Sequence, residues 1–227
     1  MFLSAFGASK PLVAAPSDPL WANVQFLQTF DALTVGSTPS SFPNQKSGIV
    51  TTSTNTGSWT VAGSPSRFGN SIRSATSTIS PRITLPSTLS GAFTVEWSMY
   101  RAAAAPFVNG EPMGSFRNSG TAQSLLCDYT AGTNQFRLFG GSTNIFGGTP
   151  ALDTWFDFAI CRDAGGTVSF FINGTLIGTT TWAIAPDQFV FGYVNNATPN
   201  VYGDELRITN VARYTGNYTP AHPFPTQ

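Results

Sequence analysis

Hydrophobic and polar residues alternate over many short stretches of this chain, with the two-residue period of β-strands. The clearest stretch is GAFTVEWSMYR, in which Phe93, Val95, Trp97 and Met99 alternate with more polar residues. Comparable patterns occur in NVQFLQTF, AQSLLCDY, NQFRLFGG, WFDFAICR, TVSFFI, DQFVFGYV and YGDELRI. The sequence contains no long amphipathic helical pattern, and NVARY is the only place where we expect a helical turn. The pattern therefore predicts an all-β chain of short strands.

Turn residues between these stretches predict hairpins. Asn173-Gly174 separates TVSFFI from TLIG, which is the strongest short-range signal of a hairpin. DAGG and TAGT supply glycines for two further turns. Strands at regular spacing in one continuous pattern predict a two-sheet antiparallel sandwich over residues 21–227. Residues 1–20 show no period and contain three prolines, which predicts an irregular N-terminal arm.

Charge excludes several classes of protein. The 227 residues contain 11 Lys and Arg and 11 Asp and Glu, so no basic stripe exists for nucleic acid or for a membrane surface. No apolar stretch reaches the roughly 18 residues of a transmembrane helix. Cys127 shares a face with Leu125 and Tyr129, whereas Cys161 lies opposite the expected core face of its strand. We therefore expect two free thiols and no disulfide.

Two motifs carry a family resemblance. The hairpin W…A…RD…G.V.FFINGTLIG, followed by DELRIT..ARYTGNYTP, resembles the concanavalin A-like lectin/glucanase (laminin-G-like) jelly rolls, and most closely the variety in bacteriophage virion structural proteins. The resemblance covers about residues 18–225. It implies two curved antiparallel sheets in jelly-roll order. It also implies that the first and last strands, NVQFLQTF and YGDELRI, lie close together.

The end of the chain is then expected to close the fold as a clasp. Leu206 and Ile208 would face the core, and the tail would turn back across the sheet. Covering sheet surface and edges is a recurrent need of such folds. The predicted clasp residues are Glu205, Arg207, Arg213, Tyr214 and Tyr218.

Hydrolysis of glycosides is the enzymatic alternative that the resemblance raises. Most glycosidases need two carboxylates that face each other across the scissile bond. Glu96 has no second acid on its face of the strand, and Asp204 and Glu205, as neighbours, should point to opposite faces. We expect Glu96 and Glu205 to pair with Arg207 or Arg101. His222 lies in a proline-held tail, where we expect exposure to solvent or to a partner. These patterns predict a protein that is not an enzyme.

No cofactor or metal is expected. One histidine and two cysteines on different faces exclude a zinc site. Calcium stays open, because Asp153 with Asp157, or Asp31 with loop carbonyls, could supply some of its oxygen ligands. The sequence has no acid-rich loop that would favour such a site.

The main functional hypothesis is a non-enzymatic structural protein of a bacteriophage virion. We expect a capsid decoration (cement) protein or a comparable tail-associated subunit, made in the host cytoplasm and placed on the virion exterior. Its partners would be capsid or tail proteins, and it would form a homo-oligomer or occur in many copies per particle. The arm residues expected to contact a partner are Phe2, Leu3, Phe6, Leu12 and Val13.

The alternative hypothesis is a glycan-binding module for attachment to a host or surface, and a glycoside hydrolase is the third. Aromatic platforms are common in sugar sites. The candidates are Tyr100, Trp155, Trp182 and Tyr193. A sandwich of this size also buries most of its aromatic residues, so a place in the core is open for each of them.

Overall fold

The computed structural model describes residues 17–47, 50–54, 59–74, 82–103, 107, 109–120, 124–192 and 201–225. Short strands dominate these ranges. The strands are β1 (Val24–Gln28), β2 (Ser41–Pro43), β3 (Val50–Thr54), β4 (Trp59–Ala62), β5 (Ser71–Ser74), β6 (Arg82–Thr84), β7 (Phe93–Arg101), β8 (Pro112–Arg117), β9 (Ser124–Thr130), β10 (Gln135–Phe139), β11 (Ile145–Gly147), β12 (Trp155–Arg162), β13 (Thr167–Ile172), β14 (Thr175–Thr181), β15 (Gln188–Val190) and β16 (Val201–Thr209).

The strands form two antiparallel sheets. Sheet 1 has the order β14-β13-β12-β7-β16-β5-β4, and β1 also pairs with β16. Sheet 2 has the order β11-β10-β9-β8-β15-β6-β3-β2. This arrangement confirms the predicted all-β, jelly-roll-like sandwich of two antiparallel sheets. It also places the first described strand directly beside the last one.

Alternation along the strands builds the core between the sheets. Phe93, Val95, Trp97 and Met99 of β7 all lie in the main hydrophobic cluster, as their spacing predicts. On the other face of the same strand, Glu96 is also buried, with 4% of its surface exposed. The sequence predicts a wetter face there. The face is covered because residues 210–225, which we call the C-terminal segment, pack across the outside of sheet 1.

The Asn173-Gly174 turn connects β13 to β14 and also holds the C-terminal segment. Both residues have positive φ, 50° and 77°, which suits the tight hairpin that their sequence predicts. The Tyr218 N–H donates to the Gly174 carbonyl oxygen at 2.8 Å. A Cβ atom at Gly174 would lie 2.0 Å from the Tyr218 carbonyl oxygen, so only glycine permits this approach.

Helical structure differs from the expectation. NVARY forms no helix; the single helical turn in the described ranges is a 3₁₀ turn at Trp21–Asn23. The Thr94 side chain explains the irregular course after β16, because it accepts the Arg213 N–H and donates to the Val211 carbonyl. No helix in these ranges is long and apolar enough to cross a membrane.

Candidate functional site

Tyrosine rings anchor the C-terminal segment on sheet 1. Tyr214 and Tyr218 stack face to face with ring centroids 3.5 Å apart. Both rings meet the edge or face of Phe171, at 5.9 and 5.5 Å. Together with Ala159 and Cys161 they form a second hydrophobic cluster outside the main core. The segment is therefore attached by apolar burial as well as by polar contacts.

A buried ionic cluster lies beside these rings. Arg207 binds both carboxylate oxygens of Glu96, at 2.7 and 2.8 Å, and also lies 3.1 Å from Asp18. Arg213 reaches Asp18 at 2.6 Å, and the Tyr214 hydroxyl donates to Glu96 at 2.6 Å. Burial alone would raise the pKa of Asp18, but the hydrogen bonds from Arg213 and the Leu20 N–H, with the charges of Arg213 and Arg207, together outweigh burial and lower that pKa. The cluster thus joins residue 18, strands β7 and β16, and the C-terminal segment.

His222 forms a second polar contact between the segment and the sheet. Its Nδ1 lies 2.7 Å from Glu205 and its Nε2 lies 3.1 Å from Asp157. Burial alone would lower the pKa of His222, but the two carboxylates outweigh burial and raise it to about 9. Asp157 also accepts a hydrogen bond from Ser98 at 2.7 Å and pairs with Arg67 at 2.9 Å. The expectation of an exposed His222 is wrong, because these carboxylates supply partners that the tail packs onto.

A β-bulge in β16 changes the expected direction of one carboxylate. Two residues, Glu205 and Leu206, lie between the registered pairs of Asp204 and Arg207, and Glu205 has a φ of 52°. Leu206 enters the core, whereas both acids lie on the outer face of sheet 1. The prediction that these neighbours point to opposite faces is therefore wrong.

Burial raises the pKa of Asp204 to about 8, against the hydrogen bonds that it accepts from backbone N–H groups of Arg67, Phe68 and Glu205. Asp204 is fully buried. Its carboxyl group, which accepts the Arg67 and Phe68 N–H groups, holds the loop before β5 against β16.

The carboxylates of this face are paired and covered by the C-terminal segment. The imidazole of His222 stands between Asp157 and Glu205, and the Phe224 N–H donates to Glu205 at 3.2 Å. The cavity beside them, which Trp97 also lines, has a volume of about 10 Å³. That is roughly enough for one water molecule and far too small for a sugar ring.

An aromatic row crosses three neighbouring strands at the other part of the outer face of sheet 1. Tyr202, Tyr100 and Trp155 stand opposite one another in register on β16, β7 and β12. The Tyr100 ring lies 5.4 Å from the Trp155 ring and 5.8 Å from the Tyr202 ring. Tyr100 and Trp155 are half-buried, so each ring offers part of its surface to solvent.

Charged side chains flank the aromatic row. Asp153 is exposed and accepts hydrogen bonds from the Tyr100 hydroxyl and the Ala103 N–H, both at 2.9 Å. Arg73 is exposed and its guanidinium carbon lies 5.9 Å from the centre of the Tyr202 ring. The row is thus an apolar surface with a carboxylate on one side and a guanidinium on the other.

A cleft of about 690 Å³ opens at the opposite end of β12. Arg162, Trp182 and the turns at 140–142 and 164–166 line it. Trp182 has 5% of its surface exposed, so it lines the cleft from the main core, which is the alternative that the sequence leaves open for each aromatic candidate. The backbone N–H of Trp182 donates to the Gly166 carbonyl oxygen, and its indole packs into the main core.

Several of the remaining candidates lie outside the part of the chain that the structure describes. Tyr193 and the arm residues Phe2, Leu3, Phe6, Leu12 and Val13 lie outside the described residues. Cys127 and Cys161 are buried free thiols on different clusters, as predicted. In the described ranges no three His, Cys, Asp or Glu residues group as a metal site.

The carboxylates considered for calcium are engaged elsewhere. Asp31 accepts hydrogen bonds from Thr29 and Asn70, and Asp153 and Asp157 bind the separate partners given above. Sequence reasoning missed Asp18, Tyr202 and Arg162. Tyr202 was missed because simple alternation from Leu206 and Ile208 places it on the core face, whereas the bulge places it on the same outer face as Arg207.

Comparisons with known proteins show the fold. No protein-family model matches the chain, and no curated protein matches it. A Trypanosoma rangeli sialidase, solved with 2-keto-3-deoxy-D-glycero-D-galacto-2,3-difluoro-nononic acid, is 13% identical with a TM-score of 0.62, over 94% of this chain and 34% of the sialidase. The binding domain of Paraclostridial mosquitocidal protein 1 is 13% identical with a TM-score of 0.58, over 86% and 50%.

The botulinum neurotoxin serotype G binding domain is a third similar structure, 12% identical with a TM-score of 0.53, over 74% of this chain and 45% of that domain. The chain thus spans about a third to a half of the length of these solved chains. At such identities the similarity establishes a shared β-sandwich fold.

Proposed function

We propose that this protein is a non-enzymatic glycan-binding module that attaches to a host or surface. The observation that carries the proposal is the aromatic row of Tyr202, Tyr100 and Trp155, with Asp153 and Arg73 beside it. Sugar rings present C–H faces that pack on aromatic side chains and hydroxyls that bond to charged ones. Sites for small polar ligands combine an apolar lining with a few placed polar groups in this way.

The row is also held in place before any ligand arrives. The register of three strands sets the spacing of the rings, and the hydrogen bond to Asp153 orients Tyr100. A platform that is already ordered loses little side-chain entropy on binding. Burial raises the pKa of the Tyr100 hydroxyl, so it stays protonated as a donor.

The kinds of protein that have similar structures support this proposal. One similar structure is a sialidase crystallised with a nononic acid derivative, and two others are binding domains of toxins. A sandwich of this kind is therefore used in proteins that meet sugars or bind targets. The residues that would do so here are those of the aromatic row.

The test is a glycan array followed by titration with the best ligand. Trp155→Ala should weaken binding at least about fivefold, since an aromatic contact is worth about 1 kcal/mol beyond its buried area. Phe146→Ala is the matched control, because Phe146 is an exposed ring on sheet 2, with 41% of its surface exposed. Equal affinity of the wild type and Trp155→Ala would refute the role of the row.

Absence of catalysis belongs to the same proposal. Asp157 and Glu205 are paired through His222 and covered by the C-terminal segment, which supports a structural role for both acids. Incubating the purified protein with the glycan that it binds, and looking for reducing ends over a day, tests this part. Turnover that is lost in Glu205→Gln would overturn it.

A structural subunit of a bacteriophage virion is the second candidate function. The motif resemblance favours it, and two exposed aromatic residues on sheet 2, Phe139 and Phe146, supply a surface for packing against capsid or tail proteins. Cryo-electron microscopy of intact particles would show its copies on the virion exterior. Deleting residues 1–16, which keeps Asp18 in the buried ionic cluster, should abolish attachment to the particle while the sandwich stays folded, and unchanged attachment would refute the arm's role.

A further inference from the structure

Arg162 is a buried cation without a carboxylate partner. It has 8% of its surface exposed and lies at the end of β12, at the mouth between the two sheets. One nitrogen, Nη1, donates to the Ile184 carbonyl at 3.1 Å, and the guanidinium lies 5.9 Å from the Phe93 ring. Its Nε is buried and has no hydrogen-bond partner among the described residues.

The acids of the chain do not supply the missing charge. All 11 Asp and Glu residues lie in the described ranges, and none of them forms an ion pair with Arg162. Even the neighbouring residue Asp163 directs its carboxylate to the Thr167 N–H at 2.8 Å. A buried cation is normally paired with an anion, so the unpaired guanidinium of Arg162 is suited to bind an anionic ligand.

The cleft that Arg162 lines has the size and chemistry of a ligand site. Its volume of about 690 Å³ falls within the roughly 300–1,000 Å³ of small-molecule sites. Its walls combine the apolar Trp182 and Ile184 with the hydroxyls of Ser142 and Thr181. Such walls suit a ligand that carries hydroxyl groups and C–H faces around one negative charge.

We propose that the cleft binds the carboxylate of an acidic sugar at Arg162. The planar guanidinium with free N–H groups matches a carboxylate through charge-assisted hydrogen bonds. The proposal rests on the proposed function in that it names the class of glycan. It defines a site separate from the aromatic row, because Trp155 and Arg162 occupy opposite ends of the eight-residue strand β12. At about 3.3 Å per residue those ends are roughly 23 Å apart.

The variants separate loss of binding from loss of folding. Arg162→Gln removes the charge, but it also removes the bond to Ile184 and can destabilise the sandwich. Ala183→Glu is therefore the main variant, since Ala183 is exposed, lines the cleft and would bring a competing carboxylate to it. Ala131→Glu is the matched control: it makes the same change at an exposed turn at the other end of β10.

The experiment titrates the wild type and variants with paired sugars that differ only in the carboxylate: glucuronate with glucose, and galacturonate with galactose. N-acetylneuraminate and inorganic phosphate complete the panel. We expect glucuronate or galacturonate to bind the wild type at least tenfold more tightly than its neutral counterpart, or N-acetylneuraminate to bind at least tenfold more tightly than phosphate. This preference should disappear in Ala183→Glu, persist in Ala131→Glu and weaken at high salt. Thermal melts confirm that each variant is folded.

The results that would overturn the Arg162 site differ from those that would overturn the aromatic row as a glycan site. Equal binding of acidic and neutral sugars, or a preference that survives Ala183→Glu, would overturn this site while Trp155→Ala still tests the row. Binding of phosphate with no sugar bound would overturn it as well, and would leave a plain anion site. Loss of acidic-sugar binding in Ala131→Glu would show a general charge effect and would also overturn it.

Discussion

Arg207→Met tests whether the buried ionic cluster holds the C-terminal segment in place. Arg207 is 2% exposed, makes two bonds to Glu96 and one to Asp18, and covers the Phe224 ring at 4.1 Å. Methionine keeps much of the side-chain volume and removes only the charged end. The substitution thus leaves Glu96 buried without its bidentate partner.

The expected cost follows from what remains around Glu96. Breaking a buried ion pair from one side costs about 3–5 kcal/mol. The Tyr214 hydroxyl at 2.6 Å and Arg213 at 3.7 Å still face Glu96, so we expect the lower end, about 3 kcal/mol. Asp18 keeps Arg213 at 2.6 Å and adds little to the cost. Domains are stable by only about 5–15 kcal/mol, so this loss is large.

Urea denaturation followed by tryptophan fluorescence measures the effect. With an m-value of about 3 kcal/mol/M for a chain of this length, the midpoint should fall by about 1 M. The double variant Glu96→Met with Arg207→Met should be more stable than Arg207→Met alone, because no unpaired charge stays buried. A single-variant loss below about 1 kcal/mol, or a double variant less stable than Arg207→Met, would refute the reasoning.

Three further predictions follow from the packing and the shifted pKa values. Because the folded-state pKa of His222 is raised from 6.5 to about 9, its stabilising contribution is full below pH 6.5 and is lost as pH rises towards 9. The difference in melting temperature between the wild type and His222→Gln should therefore shrink from pH 6 to pH 9.5, and a constant difference would contradict the assignment. Gly114→Ala should cost about 1–3 kcal/mol by denaturation, because its Cβ would lie 2.8 Å from a buried indole, whereas Gly132→Ala meets nothing within 4 Å and should be near neutral. Burial raises the pKa of Cys161 to about 11 and that of Cys127 well above its usual value, so neither thiol should react with a disulfide reagent at pH 8 until the protein unfolds.

The strands and hairpins could be predicted because their signals are local. Phe93 to Met99 alternate with period two, and Asn173-Gly174 fixes a hairpin through its own backbone preferences. The pairing of the first and last strands came from the family resemblance. These features depend on residues that are neighbours in sequence or on a shared topology.

The candidate site was harder to predict because its geometry depends on distant residues. The sequence around Glu205 does not indicate that a non-glycine residue has positive φ there. The β-bulge at this position nevertheless turns the Glu205 carboxylate towards His222. Likewise, Asp18 meets Arg207 across 189 residues of sequence. The half-buried rings of Tyr100 and Trp155 could be chosen from the sequence, whereas the burial of Trp182 required the position of its neighbours.

The bulge at Glu205 divides β16 into two halves whose outer residues have different neighbours. Ahead of it, the outward residue Tyr202, itself 7% exposed, belongs to the aromatic row; behind it, the outward residue Arg207 lies beneath the C-terminal segment. Because strand side chains repeat every two residues, Tyr202 and Arg207, five positions apart, would lie on opposite faces of a regular strand, and the extra residue of the bulge places both on the outer face. The extra residue shifts the alternation of side chains by one position. A single strand, β16, can therefore contribute both to the aromatic row and to the buried ionic cluster.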